Sequence, residues 1–237
     1  MISTASSALR RIRSGIESLD AVTSGGIPEK TVTMVYGPPK VGKSVFAYHF
    51  LAESIRSHEA CVIITTDYGA EELALAMSGF NWSIQDALTQ GGVQIISMMP
   101  VTSASKDPSL RIVSLANPTE LMIGLSQILG PFVEQKVRFR AIWDSLTPLF
   151  IYNPPMLVAK ILREYSTRMK KAGAAGVLVT LVQGSIDPQS ETIIKASVDN
   201  LVNLHPEGKL VVEGMLGTPR TTVAYAVTNS GIEVKKE

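Results

Sequence analysis

Gly37, Gly42, Lys43 and Ser44 stand in the segment GPPKVGKS at the spacing G-x-x-x-x-G-K-[ST]. Residues of these types at these intervals can hold a polyphosphate. Glycines let backbone N–H groups turn inward around the phosphates, the lysine reaches the outer ones, the hydroxyl ligates Mg2+, and the next helix offers the positive end of its dipole. The candidate binding surface is the whole loop: Gly37, Pro38, Pro39, Lys40, Val41, Gly42, Lys43, Ser44 and Val45. From average composition a chance match somewhere in such a chain has a probability on the order of 1%. The context lowers it further, because the strand-like TVTMVY stands before the loop and VFAYHFLAESI, with helical spacing, follows it.

A second element is needed to hold the Mg2+ from the far side. The segment VRFRAIWDS ends an apolar run in Asp144, and α/β sheets place their ligands at the carboxyl ends of strands. Alone, an aspartate after a strand is more often a turn former or helix cap. Paired with the loop, Asp144 joins Ser44 as a candidate metal ligand.

The elements that must position these residues follow from periodicity. Apolar, β-branched runs at 31–36, 61–66, 93–97, 139–144 and 176–181 read as buried strands, and amphipathic segments at 44–57, 71–78, 118–134 and 155–172 read as helices between them. That alternation predicts an α/β fold with a mainly parallel sheet flanked by helices. After Asp199 closely spaced strands take over, with PEGK as a hairpin signal between two of them, so the C-terminal end is expected to extend the sheet antiparallel.

With 237 residues, 18% charged and 45% hydrophobic, and no linker-like stretch, the chain reads as one domain over 1–237. The balance of 22 Lys+Arg against 21 Asp+Glu demands no polyanionic partner. Cys61, the one cysteine, lies in the apolar run CVIITT and excludes an internal disulfide framework. No apolar run approaches the roughly 20 residues of a spanning helix, and MISTASSALRRIRSG lacks the apolar core of a secretory signal. A cytoplasmic location is expected.

Three stretches, GIESLDAVTSGGIPEKTVTMVYGPPKVGKS at 15–44, IWDSLTPLF at 142–150 and GTPRTTVAYAVTNSGIEV at 217–234, resemble the single-domain members of the KaiC/RecA/RadA group of P-loop ATPases. The resemblance implies a RecA-like core, ATP and Mg2+ as ligands, and usually ring or filament assembly in which one subunit completes its neighbour's site; the expected partner is a second copy, as a ring or dimer, or another RecA-like or pathway protein. It also implies where hydrolytic residues belong. IITTDYGAEEL puts Asp67 at the first catalytic acid and Tyr68 at the second; an aspartate there is one methylene short, and misplacement of about 1 Å can cost on the order of 100-fold. Glu71 and Glu72 could substitute, although the first turn of a helix is where carboxylates ordinarily sit. KaiC-type chains carry Lys-x-Arg just before Gly-Thr, whereas VVEGMLGTPR has Gly214 and Leu216 in those places, and Arg220 is the candidate replacement. Gln183, ending GVLVTLVQ, resembles the residue that senses the terminal phosphate.

Related recombinases grip DNA with the loop after that strand. Here GSIDPQSETIIKASVD sets Lys195 against Asp187, Glu191 and Asp199 with no aromatic platform, so nucleic acid is not the favoured partner. Basic residues do cluster at Arg10, Arg11 and Arg13 and at Arg163, Arg168, Lys170 and Lys171. The expectation is an ATP-binding regulatory or assembly subunit with weak or absent hydrolysis. The alternatives are an active RecA-like ATPase, a recombinase paralogue acting in DNA repair, and an archaellum-associated ATP-binding subunit.

Overall fold

A computed structural model of the chain describes residues 9–66, 69–99 and 110–235. The elements run β1 (Arg11–Ile12), α1 (Glu17–Val22), β2 (Ile27–Pro28), β3 (Val32–Gly37), α2 (Lys43–Arg56), β4 (Ala60–Thr65), α3 (Ala70–Ser78), α4 (Gln85–Thr89), β5 (Val93–Met99) and β6 (Leu110–Ser114). They continue through α5 (Pro118–Glu134), β7 (Phe139–Asp144), α6 (Leu149–Tyr152), α7 (Pro155–Lys171), β8 (Ala174–Val182), α8 (Pro188–Lys195), β9 (Asn200–His205), β10 (Lys209–Gly214), β11 (Thr221–Thr228) and β12 (Gly231–Lys235).

Ten strands form one sheet in the order β12-β11-β10-β9-β3-β8-β7-β4-β5-β6. From β9 to β6 every pairing is parallel, and β10, β11 and β12 are added antiparallel. The mixed sheet expected from periodicity is therefore present. Strand alternation sends successive side chains to opposite faces. Val32, Met34, Val62, Ile64 and Trp143 face α5 and α7, while Val35, Cys61, Ile63 and Ile142 face α2. In β7 the same period places Arg140, Ile142 and Asp144 on the α2 face, and that is how the strand delivers Asp144 to the side of the loop.

Two segments differ from the sequence reading. The edge strand β6 was not expected, because LRIVS buries only Val113 fully and so lacks a clear apolar period. The stretch after β8, read as an open loop, contains α8, started by Asp187 accepting the Ser190 N–H at 2.9 Å with Pro188 at the first helical position.

Buried polar groups fasten the α2 face. Arg140, 2% exposed, donates to Glu59 at 2.6 Å and to the Arg13 carbonyl at 2.6 Å, with its guanidinium 4.8 Å from the Phe50 ring centre. His49 in α2 bridges two chain ends: Nε2 accepts the Ile232 N–H at 2.7 Å, so Nδ1 carries the proton and donates to the Gly15 carbonyl at 3.0 Å. Cys61 is fully buried, and burial pushes its thiol up to about 12.

Candidate functional site

The loop leaves β3 at Gly37 and enters α2 at Lys43. Both flanking glycines are required by geometry: Gly37 has φ +154° and a Cβ there would lie 2.2 Å from the Leu204 carbonyl oxygen, while Gly42 has φ +97° and would meet Val227 at 2.9 Å. Lys43 is 8% exposed and its Nζ donates to the carbonyls of Gly37 at 3.1 Å and Pro38 at 2.5 Å. Burial lowers its pKa and the nearby Asp144 carboxylate opposes that shift. The tail clasps the loop from outside. Tyr225 in β11 donates its hydroxyl to the Val41 carbonyl at 2.7 Å, and Val227 lines the same cavity as the loop.

That cavity, about 520 Å³, is walled by Pro39, Lys40, Gly42, Lys43, Ser44 and Val45 on one side and by Asp144, Ser145, Thr147, Pro148, Thr180 and Val182 on the other. Ser44 and Asp144 thus line the same cavity. The Asp144 carboxylate, 4% exposed, takes the Thr180 hydroxyl at 2.5 Å. The segment after it is pinned in turn: Leu146 N–H donates to the Thr180 carbonyl at 3.0 Å, and Val182 N–H donates to Thr147 Oγ1 at 2.9 Å. Thr66 N–H donates to the Asp144 carbonyl at 3.3 Å, so the end of β4 abuts the site.

The residues present suit a nucleotide with a divalent cation. A buried ammonium that now caps two loop carbonyls can exchange them for phosphate oxygens, and Ser44 and Asp144 would offer a cation two oxygen atoms. Among the described residues no group of three or more His, Cys, Asp or Glu side chains is placed to hold a metal. A hard cation here would draw its other ligands from phosphate and water, the usual habit of Mg2+.

A family model described as "ATPase: KaiC" matches residues 12–237. The chain belongs to the KaiC ATPase family. A UPF0273 protein of Methanopyrus kandleri is 24% identical over 97% of this chain and 94% of its own length, and one of Pyrococcus furiosus is 23% identical over 95% and 94%. The circadian clock oscillator protein KaiC of Prochlorococcus marinus is 27% identical over 73% of this chain, which spans 33% of that longer protein. A crystal structure of a KaiC-like protein from the hyperthermophilic archaeon Pyrococcus horikoshii superposes with a TM-score of 0.75 at 18% identity, over 96% of this chain and all of that one, so the two share a fold. KaiC membership carries nucleotide binding with it. Among the described residues no helix is long and apolar enough to cross a membrane.

The remaining expected positions distribute as follows. Gln183 follows β8, its side chain exposed and its N–H donated to the Gly37 carbonyl at 2.9 Å, which sets it at the root of the loop. Asp67 and Tyr68 lie outside the described residues. Glu72 accepts the Gly69 N–H at 2.9 Å and so closes the start of α3, the helix-capping role. Arg220 is exposed and precedes β11, at the opposite end of that strand from Val227 and about 20 Å away along it. It therefore cannot serve the loop of its own chain. Gly214 and Leu216 occupy the same far edge, exposed, with the Leu216 carbonyl accepting Arg11 Nη2 at 2.9 Å.

Most of the basic clusters are already engaged. Arg13 pairs with Glu53 at 3.5 Å, Arg168 donates to Ser126 at 2.6 Å, Lys170 pairs with Asp199 at 2.6 Å, and Lys195 pairs with Glu191 at 2.7 Å beneath the Tyr36 ring. Thr180, Thr147, Tyr225 and Val227 were not singled out from sequence. Thr180 alone left a signal there, as a hydroxyl inside the otherwise apolar AAGVLVTLV.

Proposed function

We propose that the chain is an ATP-binding regulatory or assembly subunit in which Mg2+-ATP occupancy, with slow turnover, controls association. The observation that carries this reading is the composition of the turn between β10 and β11. Where the resemblance calls for two cations offered to a neighbouring subunit, the exposed turn has Gly214 and Leu216. The nearest guanidinium, Arg11, is held in place by the carbonyls of Gly26 at 2.8 Å and Leu216 at 2.9 Å. A trans arginine can be worth 1,000-fold or more in rate, so this loss outweighs the shortened acid at Asp67.

In this reading Lys43 and the loop N–H groups bind the β- and γ-phosphates, and Ser44 and Asp144 hold the Mg2+. Bound Mg2+ supplies charge neutralisation on the phosphates. Gln183 reports the terminal phosphate to the loop beyond β8. Arg220 supports a second reading, an active ATPase, because it is an exposed cation at the same edge and faces any neighbour that docks there.

The test measures binding and turnover of ATP together, with and without Mg2+, while oligomer mass is followed. Tight Mg2+-dependent binding that alters the mass, with little phosphate released, supports the regulatory reading. Fast turnover lost in Arg220→Ala supports the second.

A further inference from the structure

The cavity wall beside Asp144 holds one buried hydroxyl from β8, that of Thr180. We propose that Thr180 is a positioning residue that fixes the carboxylate of Asp144 for the divalent cation; the inference rests on the nucleotide-binding reading of this site. β7 and β8 pair in parallel with Trp143 beside Val179, so Asp144 and Thr180 come side by side on the α2 face. Thr180 is fully buried, and a buried hydroxyl needs a partner. It donates to Asp144 Oδ1 at 2.5 Å.

The consequence is orientational. The torsion that turns a carboxylate about its Cβ–Cγ bond is soft, so an aspartate at a strand end does not hold its plane unaided. A charge-assisted hydrogen bond from a rigid strand supplies that constraint. β-branching adds to it, since a threonine hydroxyl has few rotamers to choose from. The same residue also takes the Leu146 N–H on its carbonyl at 3.0 Å, so β8 fixes both the side chain of Asp144 and the backbone that follows it. Groups that orient a metal ligand in this way are typically worth 10- to 100-fold in metal affinity. Neither phosphate recognition by Lys43 nor the loop N–H groups involves Thr180.

Thr180→Val keeps the volume and removes the donor, and Thr180→Ser keeps the donor. Binding of a fluorescent ATP analogue is titrated with Mg2+ for the wild type and both variants, alongside binding without divalent cation and thermal unfolding of each. The expected result is a rise of about 10-fold in the Mg2+ concentration for half-maximal binding in Thr180→Val, with near wild-type behaviour in Thr180→Ser. Binding without divalent cation stays unchanged in all three. Equal Mg2+ requirements for wild type and Thr180→Val overturn this inference alone, as does a Thr180→Ser variant no better than Thr180→Val. A wild type whose nucleotide binding ignores Mg2+ overturns the inference and the reading of the site together.

Discussion

The ammonium of Lys43 donates to the carbonyl of Pro38 at 2.5 Å, closing the loop upon itself at the point where phosphate is expected. The buried charge is thereby satisfied without a ligand, and the loop is organised before one arrives. Lys43→Ala removes a charge-assisted contact worth about 1.5–3 kcal/mol. It should weaken equilibrium binding of ATP by roughly 10- to 100-fold. An unchanged dissociation constant would remove the loop from the account.

The missing cations can be put back. A Cβ at Gly214 would meet nothing within 4 Å, and Leu216 is 60% exposed, so both positions have room for long side chains. The double variant Gly214→Lys with Leu216→Arg should raise ATP turnover by 10-fold or more under conditions where the chain self-associates. If turnover of the assembled protein does not move, the cations are not what limits it.

Acid should loosen the fold through His49. Burial holds its pKa down at about 4 against an ordinary 6.5, and the neutral ring bridges Gly15 and Ile232. The unfolded chain takes up the proton first as pH falls. The contribution of the neutral ring is therefore complete above about pH 6.5 and is lost progressively as pH drops toward 4, in all about 3 kcal/mol. Urea unfolding measured from pH 7 to pH 4 should show that slope, and His49→Gln, which can still accept from Ile232, should flatten it. A slope unaltered in the variant would assign the acid lability elsewhere.

Glu59 compensates a buried cation. It pairs with Arg140, 2% exposed, and with Arg138, and these partners draw its pKa down even though burial pushes the other way. Glu59→Ala strands the Arg140 guanidinium in the core and should cost about 3–5 kcal/mol. Arg140→Met, which removes the buried charge itself, should cost less. Denaturant midpoints of the two variants decide this, and the opposite ranking would show that the cation is not what the carboxylate supports.

The loop and the strand end beside it were legible because their signals are local. GPPKVGKS carries its ligands, its turn glycines and its helix start within eight positions, and Asp144 is announced by the end of an apolar strand. The hydroxyl of Thr180 stands out in its apolar run, but its role and that of Val227 were not legible, since they arise from strand register across the sheet and from the closing tail, neither of which leaves a local spacing. β6 escaped for a related reason: an edge strand with one buried residue has no period to read. The distance of Arg220 from its own loop follows from β11 running back along the sheet, a fact of topology.

In the proposed reading the site holds ATP far better than it breaks it. The direct measurement is steady-state phosphate release at saturating Mg2+-ATP by wild type and Lys43→Ala, in parallel with equilibrium binding. Mg2+-dependent binding is expected in the wild type, with turnover on the order of 0.001 s⁻¹ or slower, the range of a phosphoryl-transfer site without an arginine finger. Turnover near 1 s⁻¹ or faster that disappears in Lys43→Ala would contradict that reading.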